Sequence, residues 1–124
     1  MLTKIRHLNY ITDSPAETVT IPASLLDATN KGTAIALYAV IQRYADPETG
    51  QLAATRIQLA HELGKTSRAP VDQAVEELSN LGYLKAERLW VTTDSEPLAP
   101  LAHQYALESG TGRVSAGSLY TLIK

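Results

Sequence analysis

The chain has 124 residues, 44% of them apolar and 19% charged, with no cysteine and a formal net charge of −2. These figures fit one globular domain with a core of its own. They exclude a disordered chain, a disulfide scaffold and a thiolate metal site, and they weigh against a nucleic-acid binder that relies on charge alone.

Near the start, "IRHLNYIT" and "ETVTIP" are short, β-branched-rich and partly alternating around a turn-like "DSPA". They are expected as strand or extended segments. "PASLLDATNKG" reads as a short helical turn followed by a loop. From residue 33 the period changes: Ala34, Leu37, Tyr38, Ile41 and Tyr44 recur on one face of a helix, widened by Ile35 and Val40. That helix should stop near Ala45, ahead of the Pro47 and Gly50 of "DPETG". In "TRIQLAHELG", Thr55 and Gln58 have the spacing of a capping box, Gly64 suits a left-handed helix end, and Ile57, Ala60 and Leu63 are assigned inward.

A third helix carries Val71, Ala74, Val75, Leu78 and Leu81 as an apolar stripe and closes at Gly82. Pro70 limits its start, since proline lacks an N–H and belongs in the first turn. With Ser67 as N-cap, Pro70 is the third helical residue and its missing donor goes unused. Beyond Gly82, "YLKAERLWVTT" reads as a strand, "DSEPLAP" as a loop and "SLYTLIK" as a final strand. "LAHQYALESG" has Leu101, Ala102, Tyr105 and Ala106 at helical spacing, while Tyr105 and Leu107 would suit a strand; a short helix is preferred.

The stretch "IALYAVIQRYADPETGQLAATRIQLAHELGKTSRAPVDQAVEELSNLGYL" resembles the winged-helix domains of bacterial transcription regulators and of plasmid or phage replication proteins. The shared marks are a helix ending in Tyr-Ala-Asp, then Leu-Ala-x-x-Leu-Gly, a Ser-Arg cap and a third helix closing with Leu-x-x-x-Gly-Tyr-Leu. "TVTIPASLLD" is similar to the N-terminal segment of those domains, and "SLYTLI" to their returning wing strand. Three features depart from the pattern. The turn "GKTSRAP" is one residue longer, a proline occupies the first turn of the third helix, and "DSEPLAPLAHQYALESGTGRVSAG" replaces a short wing tip.

The resemblance implies an α+β winged helix-turn-helix in a single domain, 1–124. It would comprise an N-terminal segment (1–30), a three-helix core (31–82), and a β-hairpin wing with an inserted extra helix (83–124). In that arrangement the third helix offers its N-terminal residues to base edges in the major groove. Here those residues are Lys65, Thr66, Ser67, Arg68, Asp72 and Gln73. Arg68 can pair bidentately with guanine, Gln73 with adenine, and Asp72 can accept from a cytosine amino group. Lys65, Thr66 and Ser67 suit phosphates, which position without specifying. Arg56, opening the second helix, can reach the DNA backbone, and Lys85 and Arg88 lie on the expected wing.

Residues 53–92 hold five basic and five acidic side chains, so non-specific affinity should be low. A single recognition helix so poor in cations calls for a homodimer on a palindrome, with half-sites about 34–36 Å apart or a multiple of that. The expectation is therefore site-specific binding of double-stranded DNA in transcriptional control, with plasmid or phage replication or partition as the alternative. A rival of another class is a protein-interaction module that docks a partner through Trp90, residues 94–109 or the C-terminal strand.

No cofactor, metal or catalytic set is expected. His7, His61 and His103 are scattered, His61-Glu62 does not complete a HExxH pattern because residue 65 is lysine, and "GTGR" lacks the setting of a phosphate loop. The opening residues lack the apolar run of a signal peptide, and no stretch reaches the roughly 20 apolar residues that span a bilayer. The expected location is the cytoplasm, on the nucleoid or a plasmid, with no membrane partner.

Overall fold

A computed structural model describes residues 11, 15–92, 97–98 and 113–123. Among the described residues four helices, α1 (Ala23–Ala28), α2 (Gly32–Tyr44), α3 (Arg56–Glu62) and α4 (Ala69–Asn80), pack on an open antiparallel sheet. Its strands are β1 (Gln51–Ala54), β2 (Leu84–Thr92), β3 (Pro97–Leu98) and β4 (Arg113–Leu122), in spatial order β1-β4-β2-β3. This α+β arrangement is compatible in general shape with a winged helix-turn-helix.

The long helices follow the apolar periodicity. α2 buries Ala34, Leu37, Tyr38, Ile41 and Tyr44, which is the stripe read from the sequence, and yields to extended backbone at Ala45. α4 buries Val71, Ala74, Val75 and Leu78, while Leu81 is half-buried. Each fully buried leucine or valine contributes about 1.5–3 kcal/mol relative to exposure, so these two stripes anchor the core. The segment ahead of them forms no strand over residues 17–22; backbone bonds such as Ala16 N–H to the Arg43 carbonyl tie it along the end of α2.

Both halves of the capping box are present in α3. The Gln58 N–H donates to Thr55 Oγ1 at 3.0 Å, and the Thr55 N–H donates to Gln58 Oε1 at 2.9 Å. Thr55→Ala should cost about 1 kcal/mol, read as a lower urea midpoint at unchanged slope. The inward assignment of Ile57 is corrected. Its side chain is 60% exposed, and the buried residues of α3 are Leu59 and Ala60. A helix of seven residues has its phase set by its few core contacts rather than by a long stripe.

The start of α4 is corrected as well. Arg68, not Ser67, is the N-cap, accepting from the Asp72 N–H through its carbonyl at 2.9 Å. Residues 66–68 form an exposed bend. The longer turn delays winding by one residue, and Pro70, now second in the helix, still forfeits no helical hydrogen bond.

The sheet departs most from expectation. β1 was not foreseen; it pairs with β4 from Gln51↔Thr121 to Ala54↔Ser118. β4 begins at Arg113 rather than Ser118 and pairs with β2 from Thr92 to Leu84, with a register shift between Arg88 and Trp90. The loop expected at "DSEPLAP" contains β3, an edge pair with Trp90 and Val91, where proline's missing donor is tolerated. Leu52, Ala54, Leu84, Ala86, Tyr120 and Leu122 pack into the helical core. Ala53, Leu89 and Leu119 form a separate small cluster on the other face. The expectations for "IRHLNYIT" (apart from Ile11), for "LAHQYALESG" and for the Trp90 side chain lie outside the described residues.

Candidate functional site

The turn between α3 and α4 and the first turn of α4 stand on the surface. Every residue from Lys65 to Ala69 is exposed, and the Arg68 side chain retains 61% of its accessible surface. Gln73, one turn further along α4, is exposed too.

Asp72 is the hub of the charges there. Its Oδ1 accepts from Arg56 Nη1 at 2.6 Å and from Arg68 Nη2 at 3.4 Å, and its Oδ2 accepts from Arg68 Nε at 3.2 Å. Burial works to raise its pKa, but the hydrogen bond and charge of Arg68, joined by those of Arg56, outweigh burial and hold the carboxyl below the ordinary aspartate range. A depressed folded-state pKa means that the pairing stabilises the fold above the unfolded-state value of 3.8. The contribution fades as pH falls through the lower folded-state value. Since 41% of the Asp72 side chain is exposed, solvent screening keeps this below about 1 kcal/mol. Asp72→Asn should therefore flatten the acid limb of the stability curve below pH ~4, a difference that acid titration followed by circular dichroism resolves.

Arg56 sits beneath this pair. Its side chain is only 22% exposed, and its guanidinium lies 5.8 Å from the centre of the Tyr120 ring. Arg56 Nε and the Tyr120 hydroxyl are buried, with no hydrogen-bond partner among the described residues. Burial raises the Tyr120 pKa against the opposing pull of Arg56. Buried polar atoms without a partner are few in folded proteins, so these two mark the Arg56–Tyr120 contact as unusual.

Two clefts flank the start of α4. One, of about 250 Å³, lies between α4 and the start of α2 and is lined by Lys31, Gly32, Thr33, Pro70 and Gln73. Lys31 Nζ is 3.2 Å from Glu77 Oε1, so its ammonium is held beside α4. The other, of about 270 Å³, lies between α3, α4 and the β2–β4 hairpin and brings Arg56, Arg68 and Arg88 together with Ile57, Gly117 and Ser118.

The residues singled out in the sequence thus divide by position. Arg56, Arg68, Asp72 and Arg88 converge; Lys65, Thr66, Ser67 and Gln73 share the exposed end of α4; Lys85 stands apart. It pairs with Glu87 at 3.4 Å on the sheet face away from Arg88. Strand alternation gives residues 85 and 88 opposite faces, a signal present in the sequence. Lys31, Thr33 and Ser118 were not anticipated, because no local motif marks them and only tertiary packing brings them to α4.

No protein-family model, curated protein or solved structure matches the chain. Among the described residues no helix is long and apolar enough to cross a membrane, and no group of three His, Cys, Asp or Glu side chains is placed to hold a metal ion.

Proposed function

We propose that the chain is a winged helix-turn-helix that binds double-stranded DNA site-specifically, with the start of α4 in the major groove. The observation that carries this reading is the exposure of the whole run from Lys65 to Ala69, with Arg68 projecting from it. Asp72 occupies the Nε–Nη2 edge of the Arg68 guanidinium. The end-on pair of hydrogens on Nη1 and Nη2 then serves a second planar acceptor, such as O6 and N7 of guanine. Asp72 acts as a positioning carboxylate in this account, and Gln73 reads the neighbouring base pair. Lys65, Thr66 and Ser67 hold phosphates on one side of the groove, and Lys31 and Thr33 hold them on the other.

The equal count of acidic and basic residues between 53 and 92 makes one copy a weak ligand, so the active species is a homodimer on paired half-sites. Transcriptional control is the output this fits first, and plasmid or phage replication or partition the second. Selection of duplexes from a random pool tests the reading. The expected result is enrichment of an inverted repeat with half-sites about one helical turn apart. Recovery of a pool no different from the input would overturn it.

A further inference from the structure

We infer that a third cleft, at the C-terminal end of α2, is a binding site for a small organic amine, with one ammonium group on an apolar body. The inference does not rest on the DNA reading. α2 has 13 residues, about 20 Å of helix, and its other end is the one that meets α4.

The cleft measures about 580 Å³, more than twice either cleft beside α4, and falls in the size range of small-molecule sites. Residues 16–22, the last two turns of α2 and the turn from Asp46 to Gly50 enclose it, together with Leu122 of β4. Hydrogen bonds pin these walls. The Ala16 N–H donates to the Arg43 carbonyl at 2.8 Å and the Thr20 N–H to Gln42 Oε1, which ties the leading segment to α2. The Gly50 N–H donates to the Asp46 carbonyl at 2.7 Å, and the Leu122 N–H to the Gly50 carbonyl at 2.9 Å, which ties the turn to the sheet. The cleft is thus formed before a ligand arrives.

Its chemistry is one-sided. Tyr38 and Ala45, both buried, join Pro22, Pro47 and Leu122 in an apolar lining. The charged residues that line it are Asp46 and Glu48, and neither makes an ion pair among the described residues. Asp46 Oδ1 accepts from the Glu48 N–H at 2.8 Å, which fixes the carboxylate in the turn and leaves Oδ2 for a ligand. The C-terminal end of α2, the negative pole of the helix dipole, adjoins the same space. The carboxylates and the helix end call for a cation and disfavour an anion. The apolar lining calls for a hydrocarbon body, which a bare metal ion would leave unmatched.

The test titrates isotope-labelled full chain with three probes. They are tryptamine, indolepropionate (the same ring carrying a carboxylate) and spermidine, a cation without the ring. Tryptamine should give saturable amide shifts at Thr18, Gln42, Thr49 and Leu122. Indolepropionate should give none, and spermidine should bind about tenfold more weakly for want of an apolar body. Asp46→Asn keeps an acceptor for the Glu48 N–H, and should raise the Kd for tryptamine about tenfold, the loss of one charge-assisted hydrogen bond. Glu48→Gln, at an exposed position, should raise it about two- to threefold. Circular dichroism checks the fold of both variants. The absence of saturable shifts with tryptamine, or equal binding of the amine and the acid, overturns the site. An unchanged Kd in whichever variants fold overturns the role of the carboxylates, and spermidine binding as tightly as tryptamine overturns the apolar body.

Discussion

Gly117→Ala should be the most destabilising single-methyl change in the described part of the molecule. A Cβ at this position would lie 2.6 Å from the Ala54 carbonyl oxygen and 3.1 Å from Thr55 Cα. Both are backbone atoms, so no side chain can rotate away. Relief requires β4 to move from β1 at the Ala54↔Ser118 pair, which breaks the ladder where it meets α3. The backbone at φ +102° adds about 1–3 kcal/mol of conformational strain for a residue with a side chain. Overpacking adds a similar amount. Together they come to about 2–6 kcal/mol, and the middle of that range, about 4 kcal/mol, is a large fraction of the 5–15 kcal/mol that holds a domain together. Thermal unfolding should show a drop in Tm of about 10–15 °C. Gly64→Ala is the control: its φ is +70° but open space surrounds its Cβ position, so it should cost only about 1 kcal/mol.

The second large effect concerns binding. Arg68→Ala should lower affinity for the selected duplex by about 10- to 100-fold, the equivalent of one bidentate base contact. It should also relax the preference at one base pair of each half-site. Stability should scarcely change, because an exposed i,i+4 ion pair contributes only about 0.3–0.5 kcal/mol. Anisotropy titrations on the selected duplex and on single-position variants measure both effects. Equal affinity of wild type and Arg68→Ala for every duplex would remove Arg68 as a reader.

What could be read from the sequence was what is written locally. The stripe from Ala34 to Tyr44, the reciprocal bonds of Thr55 and Gln58, and the stripe from Val71 to Leu78 are short-range patterns, and all three are present. β1 escaped because "QLAA" is brief, is rich in alanine and has Leu52, Ala53 and Ala54 all buried, so no alternation marks it. Its identity comes from pairing with β4, a partner far along the chain. The phase of α3 was misjudged at Ile57 for a related reason: two turns of helix are too few for periodicity to settle which side is inward.

The site was half legible. The residue types at the start of α4 could be named from the sequence. The grip of Asp72 on both Arg56 and Arg68 could not, since residues 56 and 72 meet only when α3 and α4 pack. In the proposed reading, that contact makes Asp72 the group that orients Arg68 rather than one offered to a base. The separation of Lys85 from Arg88 needed no more than strand parity.

The most direct test of the account is an amide-shift titration of isotope-labelled protein with the selected duplex. The largest changes should fall on Lys65 through Gln73, with smaller ones at Lys31, Thr33, Arg88 and Ser118, and little at Lys85, Glu87 or the Ala53–Leu119 face. Shifts centred on that far face of the sheet, with the start of α4 unmoved, would contradict it.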